Sequence, residues 1–135
     1  MSLLTGLAPV CDSGTRLLVL GSFPGIKSLQ LQQYYAHPQN QFWRILGTLW
    51  NLPLPELDYA ERCRQALAHG LGIWDVYASC ERAGSLDSAI RHATVNDFVG
   101  LAQRSPQLQA IAHNGGEIWR HQRHTRTLGL PVYRL

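Results

Sequence analysis

The strongest constraint on the fold is an uninterrupted apolar run, Leu17-Leu18-Val19-Leu20, inside a predicted strand from Arg16 to Gly21. A strand with one face in water alternates apolar and polar residues, whereas a continuous run is typical of a strand covered on both faces. In a parallel sheet, helices provide that cover. The run therefore predicts a layered α/β arrangement.

The rest of the chain alternates between strand-like and helix-like segments. Further strands are predicted at 72–77, 108–113 and 130–134, the last at a sheet edge. Apolar spacing and capping residues predict helices at 41–50 and 60–69, and another that opens at Thr94 and Asp97 and runs to about residue 104. We expect one three-layer α/β/α domain over residues 1–135, with a central four-stranded, mostly parallel sheet.

Composition argues against several classes of protein. The chain is 45% apolar and 16% charged, which favours a compact globule over a disordered segment. No apolar run approaches the roughly 20 residues that span a bilayer, and the opening residues do not resemble a secretory signal. We expect a soluble, cytoplasmic monomer with no membrane partner.

Cysteine spacing gives no sign of a metal centre. Cys11, Cys63 and Cys80 are far apart, whereas zinc sites and small disulfide frameworks are typically built from close pairs. An iron–sulfur cluster normally takes four thiolates. The expectation is that the protein uses no metal and no organic cofactor.

The distribution of charge is more informative than its net value of +3. No acidic residue follows Glu117, and the segment after it contains several basic residues: Arg120, His121, Arg123, His124, Arg126 and Arg134. Such a segment suits contact with a phosphate backbone. An ordinary solvated helix face accounts for it equally well.

Topology indicates where a site would lie. Ligands of open α/β sheets bind at the carboxyl ends of the strands, which here are followed by segments 21–25, 75–85 and 114–116. The first, Gly21-Ser22-Phe23-Pro24-Gly25, is a stiff, glycine-bounded loop and lacks the Gly-Lys-Ser/Thr ending of a phosphate-binding P-loop. These segments are the candidate site.

An aromatic-rich segment follows that loop: Tyr34-Tyr35-Ala36-His37-Pro38-Gln39-Asn40-Gln41-Phe42-Trp43. Aromatic residues on a loop are poor core material but good stacking surfaces for bases. Together with Gly21–Gly25 and Ser28-Leu29, the segment resembles the first motif of the uracil-DNA glycosylase superfamily, especially its hypoxanthine-DNA glycosylase branch. The mismatch-specific branch has an asparagine where Phe23 stands.

The resemblance extends over most of the chain through supporting segments, namely Gly72–Val76, Cys80, Arg82, Gly84–Asp87, Asn96-Asp97 and Asn114-Gly115. It implies a base-excision repair enzyme that hydrolyses the N-glycosidic bond of a deaminated base, hypoxanthine or uracil, with DNA as its partner. Lys27 is the only lysine, so an amine that attacks the sugar would have to be Lys27 or the chain terminus. We therefore expect a monofunctional enzyme.

Two residues carry the implied chemistry. Asn40 matches the catalytic asparagine of the branch; its amide cannot act as a base but can position water, although Asn40 also suits a helix N-cap. Asp75 stands where relatives have a base-reading asparagine. It would accept a hydrogen bond from the N–H of the base, act as a general base, or serve only as a structural acceptor.

The resemblance also implies contact residues. Those expected at the base are Gly21, Ser22, Phe23, Gly25, Tyr35, Phe42 and Asn114. Phe42 has an equally good interpretation as a core residue of its helix. Those expected at the DNA backbone are His37, Ser85, Arg120 and Arg123.

One departure from the branch concerns its second motif, a loop resembling Ser-Thr-Ser-Pro-Ala after the last strand. The chain ends at Leu135, where that loop would begin, so either the natural protein is longer or the chain is a degenerate relative that lacks the loop. A catalytically impaired DNA-binding relative is therefore one alternative. Two independent alternatives are a mismatch-specific uracil or thymine glycosylase and an ester hydrolase with Ser22 as nucleophile.

Overall fold

The computed structural model describes residues 3–115 and 122–135, the second range without the side chains of residues 123 and 124. Its strands are β1 (Leu3–Thr5), β2 (Leu17–Gly21), β3 (Leu71–Asp75), β4 (Tyr77–Glu81), β5 (Arg91–Val95), β6 (Ala110–His113) and β7 (Val132–Arg134). Its helices are α1 (Ile26–Leu31), α2 (Phe42–Trp50), α3 (Tyr59–Ala68), α4 (Phe98–Arg104) and α5 (Gln122–Arg126). Short 3-10 turns lie at Leu54–Glu56 and Asp87–Ala89.

The central sheet has four parallel strands in the order β3-β2-β6-β7. The apolar run of β2 lies inside it: Leu18 and Leu20 are fully buried, and every residue of β3 is buried as well. Helices cover the sheet in a three-layer α/β/α arrangement, and β7 lies at its edge. The predicted fold class is confirmed.

A second, antiparallel sheet of order β1-β4-β5 was not predicted. The strand predicted at 72–77 ends at Asp75, and the chain continues after Val76 as β4. Thr94 does not open a helix, because it lies within β5 and pairs with Ser79 of β4. Helix α4 begins after Asp97, whose side chain accepts a hydrogen bond from the Gly100 N–H at 2.9 Å.

The other predicted helices are present with shifted ends. Helix α3 starts at Tyr59, one residue early, after Asp58 accepts a hydrogen bond from the Glu61 N–H at 2.8 Å. Helix α2 starts at Phe42 rather than at Gln41, which is its N-cap. Within the described ranges, no helix is long and apolar enough to cross a membrane.

The carboxyl edge of the sheet is formed as topology predicts. Gly21 at the end of β2 is in register with Asp75 at the end of β3. On the other side of β2, the Asn114 N–H donates to the Leu20 carbonyl at 2.8 Å. The first residues of the three predicted segments therefore lie side by side around the end of β2; Gly116 of the third segment lies outside the described residues.

Candidate active site

A cavity of about 210 Å³ opens at this edge. We call it the base cavity, and it is lined by Gly21, Ser22, Phe23, Pro24, Gly25, Ser28, Tyr34, Tyr35, His37, Asn40, Asp75 and Asn114. Pockets for drug-sized ligands start at roughly 300 Å³, so this one suits a single small ring system. Most of the residues expected at the base line it.

The carboxyl group of Asp75 is its most unusual feature. Asp75 is only 5% exposed, and its Oδ2 has no hydrogen-bond partner among the described residues. Burial, together with the negative charge of Asp87, raises the pKa of Asp75 to about 7, while Arg82 opposes the rise. A buried, unpaired carboxyl is costly to ionise, so Asp75 is poised to exchange a proton near neutral pH.

Glycine at position 21 allows this carboxyl to approach β2. A Cβ atom at Gly21 would lie 2.6 Å from Asp75 Oδ1 and 3.5 Å from the Tyr35 hydroxyl. Real Cβ atoms essentially never approach an oxygen that closely. The close contact of backbone and carboxyl therefore requires glycine here.

Behind the lining of the cavity lies a polar layer whose contacts were not predicted from the sequence. The Ser22 hydroxyl donates to Asp87 Oδ1 at 2.6 Å. Buried Arg82 donates from Nη2 to the Pro24 carbonyl and from Nε to the Gly84 carbonyl, both at 2.7 Å. Its guanidinium carbon lies 5.3 Å from the Phe23 ring centroid. These contacts fix the loop that lines the cavity.

Ser22 has a carboxylate rather than an imidazole as its hydrogen-bond partner. A serine nucleophile normally shares its proton with a histidine base. The geometry therefore gives no support to an ester hydrolase built on Ser22.

One wall of the cavity is aromatic. Tyr35 has a left-handed backbone with φ of 55°, and its ring stacks on Phe42 with centroids 4.0 Å apart at 21°. The Asn114 amide donates to the Tyr35 hydroxyl at 3.5 Å. Phe42 packs against the core and is not among the residues lining the base cavity, so it supports the Tyr35 ring from behind.

Two other aromatics of the same segment are core residues, contrary to the expectation for loop aromatics. Tyr34 and Trp43 are each 3% exposed. The Tyr34 hydroxyl bonds to the Leu7 and Ala8 carbonyls, and Trp43 Nε1 donates to the Tyr34 carbonyl. They anchor the segment so that Tyr35 is held at the cavity.

Asn40 and His37 lie exposed at the mouth of the cavity. Asn40 Oδ1 accepts the Phe42 N–H at 2.9 Å, which resembles the expected capping role. His37 Nδ1 accepts the Gln39 N–H at 3.1 Å. A neutral His37 therefore carries its proton on Nε2 and is a hydrogen-bond donor.

Ser85, another expected DNA contact, is not among the residues that line the base cavity. Exposed Ser85 accepts the Ile26 N–H at 2.9 Å and so ties its loop to the start of α1. Arg120 lies outside the described residues, as does the side chain of Arg123, whose backbone belongs to α5. Their contact with DNA stays a prediction.

Comparison with known proteins identifies the family. The family model of the uracil DNA glycosylase superfamily matches residues 8–129. A hypoxanthine DNA glycosylase from Methanosarcina barkeri is 35% identical over 124 residues, which are 92% of this chain and 78% of that protein. One from Methanosarcina acetivorans is 36% identical over the same shares.

The fold agrees with that match. The solution NMR structure of a Methanosarcina acetivorans protein, described as a candidate uracil DNA glycosylase, superimposes with a TM-score of 0.89 at 34% identity. The alignment covers 99% of this chain and 83% of that one. By sequence and by fold, the chain belongs to the uracil DNA glycosylase superfamily.

Proposed function

We propose that this protein is a monofunctional DNA glycosylase that hydrolyses the N-glycosidic bond of a deaminated base in DNA, hypoxanthine or uracil. The observation that carries the proposal is the base cavity itself, in which a buried carboxyl group faces a space of about 210 Å³ beside a stacked tyrosine, and the Oδ2 of that carboxyl has no hydrogen-bond partner among the described residues. Relatives that are about one third identical bear the name hypoxanthine DNA glycosylase. Enzymes of this kind extrude the target base into a fitted pocket.

Asn40 positions the water in this mechanism. Its Oδ1 already accepts the Phe42 N–H, which fixes the orientation of the amide at the start of α2. The second lone pair of Oδ1 and the amide N–H groups remain able to hold water. Water adds its oxygen to C1′ as the bond from C1′ to the base nitrogen breaks, through an oxocarbenium-like state. The proton that the water loses ends on the base, which departs as an anion.

Asp75 acts on the departing base. Its protonated form donates a hydrogen bond to a base that leaves with negative charge, and the low polarity around it strengthens that bond. An ionised Asp75 would accept from the N–H of the base or activate water instead. Burial raises the pKa of Asp75 to about 7, so both forms are populated near neutral pH, and the protonated form is the active one in this mechanism.

Lys27 is exposed on α1 and does not line the base cavity. An amine nucleophile that cleaves the strand would have to reach C1′ from within the site. We therefore propose an intact abasic strand and a free base as the products.

The test is single-turnover base release from oligonucleotides that carry one deoxyinosine or one deoxyuridine, single- and double-stranded. Wild type should release one of these bases, and Asn40→Ala should lower the rate by roughly 10²–10³-fold, the usual cost of losing one preorganised polar group. Gln39→Ala is the matched control, since Gln39 is a neighbour that does not line the base cavity.

Each outcome has a distinct meaning. Release that is faster from deoxyinosine identifies the hypoxanthine branch, and release confined to mismatched uracil or thymine identifies the mismatch-specific one. A folded wild-type protein that binds these oligonucleotides but releases nothing would overturn the glycosylase and leave a DNA-binding relative.

A further inference from the structure

We propose that a second cavity beside the base cavity binds a backbone phosphate of the DNA strand; this inference rests on the proposed function. The second cavity, called the arginine cavity, measures about 220 Å³. It is lined by Tyr35, Ala36, His37, Pro38, Asn40, Trp43, Arg44, Pro55 and Arg62. Tyr35, His37 and Asn40 line both cavities, so a nucleotide whose base occupies one has its backbone next to the other.

Arg62 is held ready for an anion. Its Nε donates to the Leu57 carbonyl at 3.1 Å, and its guanidinium carbon lies 5.7 Å from the Trp43 ring centroid and 5.9 Å from that of Tyr59. Two aromatic faces and a carbonyl therefore fix the plane of the guanidinium, while its Nη groups have no hydrogen-bond partner among the described residues. A preorganised guanidinium loses little entropy when it binds a phosphate.

Arg44 stands at an unusual position for a cation. It is the third residue of α2, whose first turn contains no acidic residue. A cation in the first turn opposes the helix dipole, so this arginine does not serve helix stability. Arg44 Nη1 donates to the neutral amide of Gln41 at 3.1 Å, and Arg44 forms no salt bridge with any of the described residues.

The charge of the arginine cavity is complementary to a phosphate. None of the described residues that line it is acidic, whereas the base cavity contains Asp75. His37 adds a donor, because its Nδ1 accepts from Gln39 and leaves the neutral ring protonated at Nε2. The lining thus offers two guanidinium groups and one imidazole N–H to a single anion.

Arg62 also has a packing role against Trp43 and Tyr59, and the experiment must separate packing from phosphate binding. Arg44→Gln and Arg62→Gln each remove one positive charge but keep much of the side-chain stem. Arg64→Gln is the matched control: Arg64 lies on the same helix but is exposed, and its Nε is paired with Glu61 Oε2 at 2.8 Å. Arg62→Lys keeps the positive charge but removes the forked guanidinium group.

The measurement is the affinity for an undamaged single-stranded oligonucleotide over a series of salt concentrations. Each phosphate that is neutralised should contribute about 0.7 to the slope of log affinity against log salt. Because both arginines line the cavity of one phosphate, we expect the double variant to lower the slope by about 0.7, and Arg44→Gln and Arg62→Gln to lower it by part of that amount each. Arg64→Gln and Arg62→Lys should keep the wild-type slope.

The proposal would be overturned if Arg44→Gln and Arg62→Gln had the same slope as Arg64→Gln. This holds even if the affinity of Arg62→Gln fell because packing was lost. A second measurement identifies the phosphate that occupies the arginine cavity. Single phosphates beside deoxyinosine are replaced with neutral methylphosphonates. The replacement should weaken DNA binding by wild type at one position and should not affect binding by the double variant at that position. Equal sensitivity of both proteins at every position would also overturn it.

The two proposals fail separately. Binding to undamaged DNA needs no base release, so a wild-type protein that releases no base loses the glycosylase assignment while the slope difference stands. If base release is normal but all variants have equal slopes, only the proposal of the phosphate site is overturned.

Discussion

The base cavity and the arginine cavity share a wall but are built in different ways. The base cavity lies at the ends of β2, β3 and β6, and its floor is a carboxyl group with 5% exposure. The arginine cavity lies between the segment before α2 and the starts of α2 and α3, and its charges are long side chains near solvent. The base cavity contains a buried group that is able to change its charge, whereas the arginine cavity stays cationic.

This difference separates two tasks of a base-excising enzyme. Chemistry requires groups held to within a fraction of an ångström, and a sheet edge provides that precision. Attachment to a strand requires charge near phosphates, which tolerates side-chain motion but depends on salt. Changes in the base cavity should therefore alter the rate of base release, and changes in the arginine cavity should alter affinity.

The largest effect is expected from Gly21→Ala. The added Cβ would lie 2.6 Å from Asp75 Oδ1, so either the carboxyl or the end of β2 must move. A displacement of this size can cost about 100-fold in rate. We expect single-turnover base release to fall by at least about that factor, with the affinity for undamaged DNA unchanged.

Gly14→Ala is the control, because a Cβ there would be at an ordinary 3.5 Å from Asp12 Oδ1, remote from the site. Thermal unfolding of both variants shows whether the fold is kept. Equal rates of base release in wild type and Gly21→Ala would mean that Asp75 does not act at the base. The assignment of the chemistry to the base cavity would then be wrong.

Much of the lining of the base cavity was predictable because it depends on short-range patterns and one topological rule. The apolar run Leu17–Leu20 indicated a buried parallel strand, and the ends of such strands lie together. Gly21, Asp75 and Asn114 could be assigned to one edge without knowing any distance. The resemblance of the segment from Tyr34 to Trp43 to a known motif added Asn40 and Tyr35.

What was missed depends on contacts between distant segments. Strands β1, β4 and β5 are short and partly polar, so they carry no continuous apolar signal. Arg82 bonds to Pro24 across 58 residues of chain, and Ser22 to Asp87 across 65. A buried arginine looks like any surface arginine in a sequence, since its burial is decided by the tertiary fold.

The arginine cavity was missed for a related reason. Arg44 and Arg62 belong to different helices, and in the sequence each looks like an ordinary solvated residue. Sequence reasoning placed the basic surface in the segment that contains Arg120 and Arg123 instead. Only the docking of α2 beside α3 brings the two arginines to one cavity, next to Asn40.

A smaller effect, which sharpens the contrast, is the pH dependence of base release. The pKa of Asp75 is raised to about 7, so the protonated form dominates below that pH. If the protonated form donates to the leaving base, the rate should fall about tenfold between about pH 6 and about pH 8. The amide of Asp75→Asn donates at every pH, so this variant should stay active with a flat profile.

The free energy of unfolding should also depend on the ionisation of Asp75, and like the rate of base release it should fall as pH rises. The folded state holds the Asp75 proton more tightly than the unfolded state does, so the free energy of unfolding should fall as pH rises from about 4 to about 7. Asp75→Asn should lack this decline. A rate that rises with pH in wild type, together with an inactive Asp75→Asn, would show instead that ionised Asp75 activates the water.

The smallest effect is expected at the shared wall, from Tyr35→Phe. The hydroxyl of Tyr35 receives only a long hydrogen bond from Asn114, 3.5 Å between heavy atoms, whereas its ring stacks closely on Phe42. Bonds near that length contribute little, so base release should slow by less than about threefold. The salt dependence of DNA binding should not change, because no charge is altered.

Tyr35→Leu is the informative partner of this variant. It removes the ring and with it an aromatic pair worth about 0.5–1.5 kcal/mol, and it alters a wall that faces both cavities. Base release and affinity should therefore fall together, unlike in any variant confined to one cavity. If Tyr35→Phe proved as damaging as Tyr35→Leu, the hydroxyl rather than the ring would be the functional group. Tyr35 would then act as a hydrogen-bonding residue of the base cavity alone.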